Sequence, residues 1–458
     1  MASNRETFPG RRWPILIRAG PRGKSFETIR KQLGRSASFL PTRRFHRLRH
    51  TNGRIQKSAE IGLEQRGRCQ NRGFFMQQIN QARRWPRYVA ICVAGVVAIM
   101  LAGVLAIKLL FGMGATYPGL SGEPASQAIA EIALPLPPGM VAVGADGRVF
   151  FTYHPIHRPQ DHVAHVLFEW RDGAALPIAP DLGERLHDIF GITVGPDGNI
   201  WAVRPGSTSG EATEVLAIDP DSGTIVFDFR FPDGSSPGAQ DLRVSPDGRT
   251  VYLADTGFLR LTPAALVVLD VETRTVRRVL EDHPSTAPQN RTMTLPDGTP
   301  FRLFLGLVTF QVGVDGIALS ADGEWLVYKA MTHDTVYRVP TAILRDPAAT
   351  PDVVAAAVKT LGSAPPSDGI EMDGSGNVIL TDVQSGGLAR LAPDGRLTTL
   401  VRVPGVDWAD SVSVAPNGDV WFTDSRLARF LDTFARPAAL EDMQAEAPFY
   451  IYRVPAPD

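Results

Sequence analysis

One pattern recurs six times between Gly139 and Asp424: a short apolar strand, a tight Asp-Gly, Asn-Gly or Ser-Gly turn, and a second apolar strand. The clearest copies are VDGIALSADGEWLVYKA (314–330), SDGIEMDGSGNVILTDV (367–383) and ADSVSVAPNGDVWFTDS (409–425). QDLRVSPDGRTVYLADT (240–256) is a fourth, and FGITVGPDGNIWAV (190–203) and GMVAVGADGRVFFTY (139–153) are weaker fifth and sixth copies. Such a hairpin cannot bury its apolar face alone, so the copies must stack side by side. The expectation is an all-β chain, a six-bladed β-propeller of four-stranded blades over residues 129–458. Inner strands then begin near Gly139, Phe190, Asp241, Asp315, Asp368 and Asp410, around one central channel. Most of these starts lie 42 to 53 residues apart, which suits four strands per blade.

The third interval, from Asp241 to Asp315, is longer. Its extra segment, about 284–312, carries a hairpin-like LPDGTPF and the apolar FLGLVTF, and reads as an insertion on one face, a lid over the channel. The last blade has strands near 411–414, 420–424 and 449–454 and lacks a fourth. EIALPL (131–136) is the natural donor, because pairing the two ends of the body removes an exposed sheet edge. Residues 429–446 read as a helical excursion within that blade.

Charge is divided along the chain. Residues 1–87 hold 21 Lys and Arg against 4 Asp and Glu, a net of +17, and the rest holds 26 against 44, a net of −18. An acidic body argues against nucleic acid as a partner. Between the two lies YVAICVAGVVAIMLAGVLAI (88–107), without a charge and long enough to cross a bilayer at about 1.5 Å per residue. Arg83, Arg84 and Arg87 precede it and hold that end in the cytoplasm, so the body is exported, periplasmic or secreted. The segment 76–112 is thus a basic n-region with a membrane anchor or a cleaved signal peptide. Residues 113–128 follow as a linker. Residues 1–75, Arg-rich and patternless, read as a disordered basic segment. Met76 opens an ordinary n-region, and the expected start of translation is there. Cys69 and Cys92 both precede the body, which leaves it no disulfide, no thiolate metal site and no cysteine nucleophile.

Asp241, Asp315, Asp368 and Asp410 each stand just before an inner strand, and read as one equivalent position converging on the channel mouth. Carboxylates gathered there raise one another's pKa unless a cation compensates. Two occupants satisfy that demand: a hard divalent cation such as calcium, with Asp368 and Asp315 as ligands, or a cationic amine. The plain alternative is that each Asp caps its own turn. Asp255, Asp382 and Asp424 end second strands and read as structural, with Lys329 at the corresponding place in blade four. His154, His157, His162 and His165 cluster in a loop whose spacing fits no standard zinc signature. His333 reads as closing a hairpin.

The runs 311–344 (QVGVDGIALSADGEWLVYKAMTHDTVYRVPTAIL), 265–285, 366–383 and 448–455 resemble bacterial members of the major royal jelly protein/yellow family, colinearly over nearly all of 129–455. The resemblance implies an exported six-bladed propeller. Some members of that family are called dopachrome-conversion-related, and some animal members bind biogenic amines. A second resemblance, to gluconolactonase-like propellers, implies a metal site made of a Glu from the first blade, an Asn and the Asp of an Asp-Gly. Asp368 matches the last. Gln240 stands where the Asn is expected and Gly139 where the Glu is, with Glu371 as a substitute ligand. The expected function is binding of a small cationic or aromatic ligand at the channel mouth, by Asp241, Asp315, Asp368, Asp410, Glu371 and Gln240. A dopachrome-type isomerase is its enzymatic form. A metal-dependent lactonase or esterase and a non-catalytic interaction scaffold remain as alternatives, and whether the chain is an enzyme stays open.

Overall fold

A computed structural model describes residues 87–157, 165–206, 211–257, 262–431 and 440–456. Residues 1–75 and His162 lie outside these. The body forms six antiparallel four-stranded sheets arranged as propeller blades. The inner strands are Pro138–Val143, Ile192–Val194, Ala239–Val244, Val314–Leu319, Ile370–Met372 and Ala409–Val414. Each runs into a tight turn whose glycine (Gly147, Gly198, Gly248, Gly323, Gly376, Gly418) sits at φ between 70 and 87, a conformation that costs other residues a steric clash. An Asp or Asn side chain braces the same turn, as when Asp247 Oδ1 accepts from Arg249 N at 3.1 Å and Asp322 Oδ1 from Glu324 N at 2.9 Å.

Blades are covered on both faces by their neighbours, so second strands such as Val149–Tyr153, Thr250–Asp255, Val378–Asp382 and Val420–Asp424 are buried throughout. The core is accordingly divided among the blade interfaces. Tyr252, Leu266, Ile317 and Tyr328 fill the gap between blades three and four. Phe151, Phe168, Trp421 and Ile451 fill the gap between blades one and six.

The ring closes through the N-terminal strand of the body, as expected, with the pairing segment beginning two residues before the expected 131–136. Ile129–Leu134 pairs antiparallel with Phe449–Val454 and completes blade six, so the first strand of the body and the last share one sheet. Blade six also carries the helices Leu427–Leu431 and Leu440–Glu446. The insertion after blade three forms a small hairpin, Arg302–Leu303 with Val308–Thr309. Met293, Phe301, Leu303, Phe310 and Val312 of the insertion pack with Trp408, Leu427, Leu431 and Met331.

Arg87–Phe111 is one continuous helix, unburied, long and apolar enough to cross a membrane. Of the residues read as a linker, Tyr117 is buried against the insertion, where its hydroxyl donates to Thr332 O at 2.7 Å and Arg291 lies over its ring.

Candidate functional site: the acidic arc of the central cavity

Seven residues before the turn residue Asp146, Asp197, Asp247, Asp322, Ser375 or Asn417 stand Gly139, Phe190, Gln240, Asp315, Asp368 and Asp410. All six line one cavity of about 470 Å³ at the head of the inner strands. One arc of it is acidic, from blades four, five and six, and the opposite arc is Gly139 and Phe190. Phe310 and Val312 of the insertion and Leu427 and Leu431 of blade six add an apolar wall.

Asp241 also lines the cavity, yet it is not the equivalent of the other three aspartates. In blade three Ala239 pairs with Asp255 and Asp241 with Ala254, while in blade four Val314 pairs with Ala330 and Gly316 with Lys329. The bulge therefore leaves Gln240 in the place of Asp315 and puts Asp241 in the place of Gly316. The same registers correct the second-strand series: Ala330, not Lys329, stands where Asp255 and Asp424 stand. Lys329 is fully buried and donates to the carbonyls of Ala330, Met331 and His333 at 3.0, 3.2 and 2.6 Å. His333 closes its hairpin as expected, Nδ1 accepting from Thr335 N at 3.1 Å, and burial lowers its pKa to about 4.

Asp241 is held on all sides. Its Oδ1 accepts from Leu242 N at 2.8 Å and from the Arg243 guanidinium at 2.7 Å, and its Oδ2 accepts from Ile317 N at 3.2 Å. Arg243 crosses from blade three to blade five. It donates to Ile370 O at 3.0 Å and lies 3.3 Å from Glu371 Oε2. Glu371 thus serves Arg243 and does not line the cavity. The sequence signal for Arg243 is its position two residues after Asp241 on the same inner strand, Ala239–Val244.

Asp368 is held on one side, where its Oδ2 accepts from Trp408 Nε1 at 2.6 Å. Trp408 is held in turn by Asp424, whose Oδ1 accepts from the Trp408 backbone N–H at 3.0 Å. Asp382 and Asp255 brace loops in the same structural way, Asp382 taking Gln384 N at 3.1 Å and Asp255 pairing with Arg278. Asp410 has His154 Nε2 3.6 Å from its Oδ2. His154 Nδ1 accepts from Ile156 N at 3.2 Å, which directs the other ring nitrogen toward Asp410. Of the histidine cluster, His154 lines the cavity and His165 does not.

The electrostatics follow from this partition. Burial pushes Asp315 well above the usual carboxylate range, and the charges of Asp368, Asp241 and Asp410 push it further, against the pull of Lys329. Burial pushes Asp368 up to about 7, with Asp241 adding and the Trp408 N–H opposing. Asp410 is raised by burial and then by Asp368. Among the described residues no Lys or Arg forms an ion pair with Asp315, Asp368 or Asp410, whereas Arg243 pairs with both Asp241 and Glu371. No three His, Cys, Asp or Glu side chains among the described residues converge as a metal ion's ligands must. The lactonase-type ligand set is also incomplete, with Gly139 and Gln240 at two of its three places and one Asp368 oxygen already taken by Trp408.

No curated protein matches the chain by sequence. Solved structures of similar architecture include a gluconolactonase from Xanthomonas campestris, at 14% identity and a TM-score of 0.44, covering 72% of this chain and 89% of that one. A calcium-binding regucalcin from Agrobacterium tumefaciens, at 13% identity and a TM-score of 0.44, covers 75% and 98%. A virginiamycin B lyase from Staphylococcus aureus, at 15% identity and a TM-score of 0.39, covers 65% and 81%. At such distances these are likenesses of architecture alone. The chain is a six-bladed propeller that over residues 208–403 matches the family described as Major royal jelly protein.

Proposed function

We propose that this propeller binds a small organic cation with an apolar or aromatic body in its central cavity. The observation that carries the reading is the unequal treatment of the buried carboxylates. Asp241 and Glu371 have an arginine, while Asp315, Asp368 and Asp410 share the cavity without one. A ligand ammonium supplies the missing charge, because it favours the ionised form of each nearby carboxylate as burial disfavours it. Phe190, Phe310, Val312, Leu427 and Leu431 suit the rest of such a ligand. The enzymatic form of this reading is a dopachrome-type isomerase. Asp368 at about 7 is tuned to the range in which a carboxyl can both give and take a proton.

The competing occupant is a divalent cation held by Asp315 and Asp368, and the test separates the two. Calorimetry compares an arylalkylamine, its neutral alcohol isostere and calcium on the wild-type chain and on Asp315→Asn/Asp368→Asn. The amine is expected to bind at least roughly tenfold more tightly than the alcohol, a difference of about 1.4 kcal/mol, and to lose that margin in the double variant. Equal affinity for amine and alcohol, or a calcium site that outcompetes the amine, sinks the reading.

The same reading places the body outside the cytoplasmic membrane, held by the helix Arg87–Phe111. Its support is the apolar length of that helix and the arginines before it. Cleavage of the helix as a signal peptide is the rival, and N-terminal sequencing of the mature protein distinguishes the two.

A further inference from the structure

We propose that the hairpin inserted after blade three is a lipid-contacting element, with Phe304 and Leu305 at its tip seated in the membrane interface beside the end of the apolar helix. The proposal rests on the reading of that helix as a membrane anchor. The turn between Arg302–Leu303 and Val308–Thr309 places Phe304, Leu305 and Gly306 at φ 54, 56 and 79. Left-handed backbone of this kind belongs to Gly, Asn and Asp, and bulky residues adopt it at a cost in backbone free energy. Here that strain holds two large apolar side chains away from the protein. Leu305 is 97% exposed and Phe304 53%, in a body whose other aromatic rings are largely buried. A turn meant for water has no use for that arrangement.

The partner is identified by what the hairpin is fastened to. A helix ends with carbonyls that have no partner within it. Two of those at the end of Arg87–Phe111 are satisfied by this insertion. Asn290 Nδ2 donates to Leu110 O and Thr309 Oγ1 to Phe111 O, each at 2.9 Å. Lys108 Nζ donates to Gly306 O at the hairpin tip. Thr292 Oγ1 donates to Gly114 O at 2.9 Å, and a bridge between Thr116 and Thr292 continues the seam. The tip therefore lies at the level of the last helical turn. Leu105, Leu109, Leu110, Phe111 and Met113, at and just after the end of the helix, are exposed as Phe304 and Leu305 are. An anchor that brings this turn to the bilayer brings the hairpin tip to the same depth, and Lys108 is placed to keep its ammonium at the polar boundary.

The test uses the full chain in vesicles of phosphatidylethanolamine and phosphatidylglycerol. Leu305→Cys is made in a Cys69→Ser/Cys92→Ser background and labelled with an environment-sensitive fluorophore. Ser222→Cys, in a turn at the other end of the strands, is the control. The expected result is blue-shifted emission at position 305, lost when lipids with nitroxide-labelled acyl chains are included, and water-like, unquenched emission at 222. Phe304→Cys repeats the measurement should the first variant label poorly. Water-like emission at 305 in a chain that resists alkaline carbonate extraction overturns the proposal and leaves the anchor standing. Blue-shifted emission that lipid nitroxides do not quench assigns the tip to a protein partner or a second copy, and also overturns it. Release of the chain by carbonate removes the anchor reading and the proposal together.

Discussion

Trp408 joins the core to the cavity. It is fully buried, sits edge-on to Phe301 and Phe310 of the insertion at 5.5 and 5.9 Å, and gives its indole N–H to Asp368. Two substitutions separate these roles. Trp408→Ala costs about 3–5 kcal/mol of stability, read from the denaturant midpoint, because it opens a large cavity. Trp408→Phe keeps most of the packing and removes the donor that lowers the Asp368 pKa. It is expected to move the pH midpoint of amine binding upward, a shift that calorimetry across pH detects. Asp368 itself makes a further prediction. Its folded pKa of about 7 lies above the ordinary value of 3.8, so the fold favours the protonated form. Its contribution to stability is therefore full below the ordinary pKa and is lost as pH rises from about 4 to about 7. Asp368→Asn should flatten that slope in thermal melts taken at the two ends of the window; an unchanged slope contradicts the assignment.

The blade elements were legible in the sequence because turn chemistry and apolar runs agree at every copy. The closing strand was legible for a different reason: blade six lacked a partner, and 131–136, within two residues of the observed Ile129–Leu134, had none of its own. What the repeat hid were offsets of one residue. The count from the turn puts Gln240 rather than Asp241 at the shared position, and the strand register puts Ala330 rather than Lys329 opposite Val314. The first offset is legible by counting; the second is not, because the turn closes from Ser320 to Trp325 in blade four but from Ala415 to Asp419 in blade six, and that extra residue shows only in the hydrogen-bond register. His154 was hidden by topology. Its loop meets Asp410 because closure sets blade one beside blade six. That closure can be tested at Ile132, fully buried in the strand that pairs with Phe449–Val454. Ile132→Ala is expected to lose about 2–5 kcal/mol in chemical denaturation. A loss below about 0.5 kcal/mol, the range of an exposed surface site, contradicts the closure.

At the scale of the molecule, two surfaces meet on the insertion after blade three. Phe310 and Val312 face the cavity, and Phe304 and Leu305 project from the tip of the same hairpin. The acidic body and the apolar helix are joined through this segment, so the cavity wall and the apolar helix share one structural element. The central claim is that the cavity holds carboxyls kept protonated for want of a cation. It is tested most directly by calorimetry of amine binding near pH 6 in buffers of differing ionisation enthalpy. Because Asp368 is raised to about 7, with Asp315 and Asp410 also raised, bound amine should drive protons off the arc. Net proton release on binding is expected, with affinity rising as pH passes through about 7. Binding with no proton release, and with an affinity that does not change with pH, would contradict it.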